Sequence, residues 1–190
     1  MDTDHRIRLS PSPGRGVPAF FLDRDGTLIE DPGYLSDPSQ VRLLPGVATT
    51  LRAFAAAGHA LVVVTNQSGI GRGFYAWDDY EAVSARFREL LAGEGVVLDG
   101  ECACGHATAC GWRKPSPGMI LAASEALGID RSRSLLAGDK LTDIEAASAA
   151  RLPRAVHVAT GQGRGERAKV EAVDFPLRLD LVESLAELAA

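Results

Sequence analysis

Asp23 and Asp25 stand two residues apart, directly after the apolar run Ala19-Phe20-Phe21-Leu22 and directly before Gly26-Thr27. A short, wholly apolar run with aromatic residues suits a strand buried on both faces of a parallel sheet. The two acids then lie at its carboxyl end, where Gly26 lets the chain turn away. In open α/β sheets that edge is where ligands bind. Two carboxylates this close repel each other, and a place beside a dry strand costs them hydration. A hard cation resolves both conflicts, since Mg²⁺ takes one or two protein carboxylates together with substrate phosphate oxygens. The pair reads as half of a phosphate-handling metal site; Asp-Gly alone would favour a plain solvated turn.

Three further stretches could serve the same chemistry. Thr65-Asn66-Gln67-Ser68-Gly69 follows a second apolar run, Ala60 to Val64, and offers hydroxyl, amide and backbone N–H donors to an anion. Arg113-Lys114-Pro115 precedes Ser116-Pro117, a good N-cap and first-turn pair for a helix ending at Gly128. Cations beside a helix start can bind phosphate. Leu135-Leu136-Ala137-Gly138 again stops in an acid, Asp139, with Lys140 and Asp143 close behind. Thr142 and Glu145 have capping-box spacing, which would put Asp143 in a helix's first turn, where a carboxylate is favoured without any catalytic role.

The three cysteines, Cys102, Cys104 and Cys110, crowd one segment together with His106. An odd number so close together argues against a disulfide framework. Residues two apart on an extended segment point the same way, so Cys102, Cys104 and His106 could converge, with Cys110 folding back as a fourth zinc ligand. The spacing is tighter than a Cys-x-x-Cys knuckle, and reduced unliganded thiols stand as the alternative.

The elements that must position these groups alternate. Residues 1–17 are rich in breakers and are expected to be a flexible leader, with 18–190 as one domain. Residues 27–44 suit a long loop over the sheet edge. Helices are expected over 47–57, with Gly58 as C-terminal cap, over 78–91 with Asp78 as cap, and over 180–188. Strands are expected from Val96 and over 154–159, followed by a Gly-rich loop at 161–165. Alternating strands and helices give a doubly wound parallel α/β sheet, with three strands ending in polar groups on one edge.

The 190 residues, 46% hydrophobic and 24% charged with a net charge of −5, fit one domain with a sizeable core. That balance has no electrostatic footprint for nucleic acid or an anionic membrane, so a small-molecule partner is expected. Lacking a long apolar run or signal-like segment, the chain is expected to be cytoplasmic; it is also expected to be a monomer.

Asp23-x-Asp25-Gly26-Thr27, Thr65 closing the second strand, Lys114 before a helix, and Gly138-Asp139-x-x-x-Asp143 resemble, in order and placement, the four motifs of the haloacid dehalogenase-like (HAD) phosphohydrolases. Asp31-x-Gly33-Tyr34, Val64-Thr-Asn-Gln-Ser-Gly-Ile70 and Arg113-Lys-Pro-x-Pro-Gly-Met119 are similar, more narrowly, to the branch of heptose-bisphosphate and histidinol-phosphate phosphatases. The resemblance spans about residues 19–163. It implies a Rossmann-like fold without a separate cap domain, and Mg²⁺-dependent removal of the C7 phosphate of D-glycero-D-manno-heptose 1,7-bisphosphate. Asp23 would be the nucleophile that becomes an aspartyl-phosphate, and Asp25 the acid and base. Thr65 and Lys114 would neutralise phosphoryl charge, and Asp23, the Asp25 carbonyl and Asp139 would hold Mg²⁺. Asp31, Gly33, Tyr34, Asn66, Gln67, Ser68 and Arg113 match substrate-contacting positions. The family's zinc loop reads Cys-x-His, a spacer, then Cys-x-Cys; Cys104-x-His106 and Cys110 fit it, Trp112 replaces the last cysteine, and Cys102 is the expected substitute. His5, His59 and His157 match nothing functional. Histidinol phosphate or another small phosphomonoester is the alternative substrate, and an inactive phosphate- or zinc-binding module the alternative of a different class.

Overall fold

A computed structural model describes residues 4–10, 14 and 16–190. Its frame is a seven-stranded sheet in the order β1-β4-β3-β2-β5-β6-β7. The strands are β1 (His5–Leu9), β2 (Ala19–Leu22), β3 (Ala60–Asn66), β4 (Gly100–Cys104), β5 (Leu135–Gly138), β6 (Arg154–Val158) and β7 (Arg178–Val182). All neighbours run parallel except β1, which pairs antiparallel with β4 at the edge. The helices are α1 (Val47–Ala56), α2 (Ser68–Gly71), α3 (Trp77–Gly93), α4 (Gly118–Leu127), α5 (Leu141–Ala149) and α6 (Gly163–Glu171).

Strand alternation divides the core between two faces. Phe20 and Leu22 of β2 pack with Val47, Leu51 and Phe54 of α1 and with Val83, Phe87 and Leu91 of α3. Phe21 points the other way, toward Met119 and Ala123 of α4, Ile144 of α5 and Val170 of α6. The result is the expected doubly wound α/β sandwich. Its order reverses around β2, where connections leave in opposite directions and open a crevice at the carboxyl ends.

Several expected elements are corrected. His5–Leu9 of the expected leader form a strand, because β4 would otherwise be an exposed sheet edge; residues 1–3, 11–13 and 15 of that leader lie outside the described residues. The third parallel strand begins at Gly100, not Val96, and Val97 is 74% exposed. Ala76, not Asp78, caps α3, with its backbone N–H donating to Asp79 (2.8 Å). Pro117 rather than Ser116 precedes α4. In α5 the reciprocal contact runs from the Lys140 backbone N–H to Asp143 Oδ2 (3.0 Å), two residues earlier than Thr142 and Glu145. Part of the Gly-rich loop is helix α6, and the expected closing helix is strand β7 with a single 3₁₀ turn at Leu185–Glu187.

Candidate active site

β2 delivers Asp23 and Asp25, β3 delivers Thr65 and Asn66, and β5 delivers Asp139, so strand geometry alone gathers them at one edge. Asp23 and Thr65 are buried, and Asp139 and Asp143 almost completely so. Carboxylate oxygens of Asp23, Asp139 and Asp143 lie within 4.8 Å of one another. Lys114 is buried between two of them, its Nζ 2.7 Å from Asp23 Oδ1 and 2.6 Å from Asp143 Oδ1. Burial pushes the Lys114 ammonium down, but the Asp143 and Asp23 charges outweigh it and hold the group above the ordinary lysine range.

Two cations, Lys114 and Lys140, against three acids still leave negative charge unbalanced. Burial, and then the Asp23 charge, push Asp139 up to about 7, and burial likewise raises Asp143. Asp139 Oδ2 accepts from the Gln162 backbone N–H (2.8 Å), whereas its buried Oδ1 has no hydrogen-bond partner, with Lys140 Nζ 3.5 Å away. An orphaned buried carboxylate oxygen inside an acid cluster is a vacancy in bonding that a hard, oxygen-seeking cation fits. The backbone is shaped around this point. A Cβ on Gly26 would stand 2.5 Å from Asp139 Oδ2, and one on Gly161 2.4 Å from it.

Asp25 is held differently from Asp23. Arg24, fully buried, grips both its oxygens, Nε to Oδ1 at 3.1 Å and Nη2 to Oδ2 at 3.0 Å. Gln67 Nε2 donates to Asp25 Oδ2 (2.8 Å) and to Thr65 Oγ1 (2.7 Å), and the Tyr75 hydroxyl donates to Gln67 Oε1 (2.6 Å). Gln67 is thus buried against the acids and does not line the pocket. Asn66 makes a two-way amide contact with the Lys114 backbone (both 3.0 Å) and fixes that lysine's approach.

Beyond the acids opens a pocket of about 370 Å³ lined by Asp25, Asp31, Gly33, Tyr34, Asn66, Ser68, Arg113, Lys114, Lys140, Thr142 and Gln162, among others. All expected substrate-contacting positions except Gln67 face it. Asp31 Oδ1 accepts from the Gly33 backbone N–H (2.9 Å), and Tyr34, in the left-handed region at φ 50°, meets Phe74 edge-on at 4.6 Å. Sequence reasoning passed over Lys140 and gave Asp143 only a structural role; the second acid of Gly138-Asp139-x-x-x-Asp143 carried the signal. Arg24 and Gln162 had no sequence signal beyond proximity to the motifs.

The cysteine segment forms a separate cluster. Cys104 Sγ lies 3.6 Å from His106 Nδ1 and 3.5 Å from Cys110 Sγ, and Cys110 Sγ lies 3.9 Å from His5 Nε2. These four residues present ligand atoms mutually within 4.8 Å. Cys102 is not one of them. It points into the core beneath α4, two residues and so roughly 6.6 Å back along β4 from Cys104. His5, expected to be without function, takes its place. Burial pushes the Cys104 thiol up to about 12, so without a cation it is a protonated thiol.

Comparison with known proteins agrees with this geometry. The sequence pattern of the family described as HAD-hydrolase-like matches residues 111–188. The D-glycero-beta-D-manno-heptose-1,7-bisphosphate 7-phosphatase of Salmonella typhi is 41% identical over 183 residues, 92% of this chain and 94% of that protein. Its namesake from Mesorhizobium japonicum is 45% identical over 149 residues, 72% of this chain and 67% of that one. The crystal structure of D,D-heptose 1,7-bisphosphate phosphatase from B. bronchiseptica, complexed with magnesium and phosphate, matches with a TM-score of 0.80 at 30% identity, covering 89% of this chain and 94% of that one. With the motifs in their strand-end places and the Salmonella relative matched along 94% of its length, the chain is a HAD-type phosphatase and belongs to the D-glycero-D-manno-heptose-1,7-bisphosphate 7-phosphatase family.

Proposed function

We propose that the chain removes the C7 phosphate of D-glycero-β-D-manno-heptose 1,7-bisphosphate by way of an aspartyl-phosphate on Asp23. The observation that carries the reading is the Asp23–Lys114–Asp143 arrangement beside the orphaned Asp139 oxygen, next to a pocket that shares Lys114 and suits a sugar phosphate in size. Asp23 and Asp139 would hold Mg²⁺ together with the Asp25 carbonyl. The ion, when bound, supplies positive charge that screens the phosphoryl oxygens from the attacking carboxylate.

The chain's own groups do the rest. Asp23 forms a bond to phosphorus as the bond to the sugar O7 breaks, and Asp25 gives that oxygen its proton. Asp25 then takes a proton from the water that cleaves the acyl phosphate and restores Asp23. Lys114 and Thr65 stand where charge builds on the phosphoryl oxygens. Arg24 and Gln67 aim Asp25. Arg113 and Lys140 line the outer pocket with positive charge, which suits an anionic bisphosphate, and Asp31 offers an acceptor for sugar hydroxyls. Histidinol phosphate would bring a cationic amine and no second phosphate to the same two cations, which disfavours it. We further infer a structural zinc in the cysteine loop, where four ligand atoms lie mutually within 4.8 Å, and a cytoplasmic monomer. The covalent step is tested by rapid acid quench with labelled substrate. Wild type quenched during turnover of substrate labelled in the C7 phosphate should carry acid-stable, base-labile label and Asp23→Asn none; label on the Asp23→Asn protein would overturn the mechanism.

A further inference from the structure

We propose that His5, on edge strand β1, is the fourth ligand of the zinc site formed with Cys104, His106 and Cys110, so that the metal ties the chain's first strand to the sheet. The inference rests on the zinc reading above and goes beyond it by assigning the ligand set and what the metal holds. Tetrahedral zinc with Zn–S near 2.3 Å and Zn–N near 2.0–2.1 Å separates its ligand atoms by about 3.3–3.8 Å. The contacts of 3.5, 3.6 and 3.9 Å in the cluster lie at or close to that spacing before any ion draws them together.

Strand pairing explains how a residue about a hundred positions away arrives there. His5 is the direct partner of Cys104 in the antiparallel β1–β4 ladder, and opposed residues on such a ladder project from the same face. The imidazole is held in place by Trp112, whose ring stacks on it at 4.5 Å with the planes 17° apart. The surroundings also fit a metal. His106 presents Nδ1 to Cys104 while its Nε2 lies 3.5 Å from an Asp4 carboxylate oxygen, an outer partner of the kind that fixes a ligating imidazole's tautomer. The Arg113 backbone N–H donates to Cys110 Sγ at 3.3 Å, a contact that favours a thiolate. Binding would release the two thiol protons of Cys104 and Cys110 to solvent. Cys102, buried in the core, keeps its thiol.

The test uses the full chain and four proteins: wild type, His5→Ala, His5→Cys and Cys102→Ser. Zinc content is measured by mass spectrometry, affinity by chelator competition, and β1 mobility by hydrogen exchange. Wild type and Cys102→Ser should carry about one zinc per chain. His5→Ala should bind at least about tenfold more weakly and exchange the β1 amides faster. His5→Cys should restore binding and, with cobalt in place of zinc, strengthen the thiolate charge-transfer band. Wild-type affinity in His5→Ala, or loss of zinc in Cys102→Ser, would overturn the ligand assignment and leave the zinc reading standing. Zinc-free wild type after purification and zinc dialysis would overturn both, and the phosphatase assay is read separately from either result.

Discussion

Lys114 governs the charge balance of the site, because among the described residues it is the side chain that bridges Asp23, the proposed nucleophile, to Asp143. Replacing it by Met leaves two buried carboxylates without their shared cation. The metal-free Lys114→Met protein should lose about 3–5 kcal/mol of stability, measured by denaturant unfolding, and recover part of it when Mg²⁺ is added. Unchanged stability would mean that the pair is already neutralised by protonation. Asp23→Asn keeps the shape and removes the attacking oxygen's charge, so phosphate release should fall by at least about 10³-fold with little change in melting temperature. At this scale the sequence was informative wherever a strand ended in an acid. Asp143 was harder, since a first-turn helical carboxylate has a structural explanation that only its contact with Lys114 sets aside. Gln67 lies against Asp25 and Thr65, and whether such a residue meets substrate or Asp25 depends on side-chain direction, which spacing alone does not fix.

Between elements, close approach and charge pairing take over. Gly161 has φ 56°, and a Cβ there would meet Asp139 Oδ2 at 2.4 Å and Gly26 Cα at 2.5 Å. Gly161→Ala should therefore cost roughly 1–3 kcal/mol and raise the Mg²⁺ concentration for half-maximal activity, read from a metal titration of phosphate release. Strand β7 is held to β6 partly by Arg154 Nε, 2.7 Å from Asp180 Oδ2, with Arg178 on the other oxygen at 2.9 Å. Burial raises the Asp180 pKa, yet the two arginines outweigh it and hold the carboxyl below the ordinary carboxylate range. Stability from this pair is present above the unfolded carboxylate value and lost as pH falls through the folded one. Asp180→Asn should thus be destabilised by up to about 1 kcal/mol at pH 7, and the difference from wild type should shrink below pH 4 in thermal melts. The same strand shows where pattern reading fails. Arg178-Leu-Asp-Leu-Val182 alternates polar and apolar residues as an edge strand does, but the acids and leucines after it suit a helix equally well. Strand β1 was hidden for a related reason: His5-Arg-Ile-Arg-Leu9 is short and polar, and only the open edge of β4 gives it a place.

Over the whole molecule, fold and metal are linked through the acid cluster. Burial and the Asp23 charge hold Asp139 up at about 7, above its unfolded value near 4. The metal-free fold therefore takes up a proton relative to the unfolded chain and loses stability as pH rises from about 4 to about 7. A cation that binds the ionised cluster opposes that loss, so the gap in melting temperature between Mg²⁺-loaded and metal-free protein should widen from pH 5 to pH 8. A gap that narrows would place the metal elsewhere. The architecture as a whole was legible because buried parallel strands announce themselves as apolar runs, and their ends then define an edge. The place of His5 in the cysteine cluster was not, because β1 and β4 are far apart in sequence and nothing local in His5 marks it as Cys104's partner. The central claim, a phosphatase for the C7 phosphate of a heptose bisphosphate, is tested most directly by kcat/KM for phosphate release with Mg²⁺. The substrates to compare are D-glycero-D-manno-heptose 1,7-bisphosphate in both anomeric forms, histidinol phosphate and simple hexose phosphates. The account predicts a preference of at least about 100-fold for the β-bisphosphate over any monophosphate, from a second phosphate meeting Arg113 and Lys140. Equal turnover of all of them, or a preference for histidinol phosphate, would contradict it.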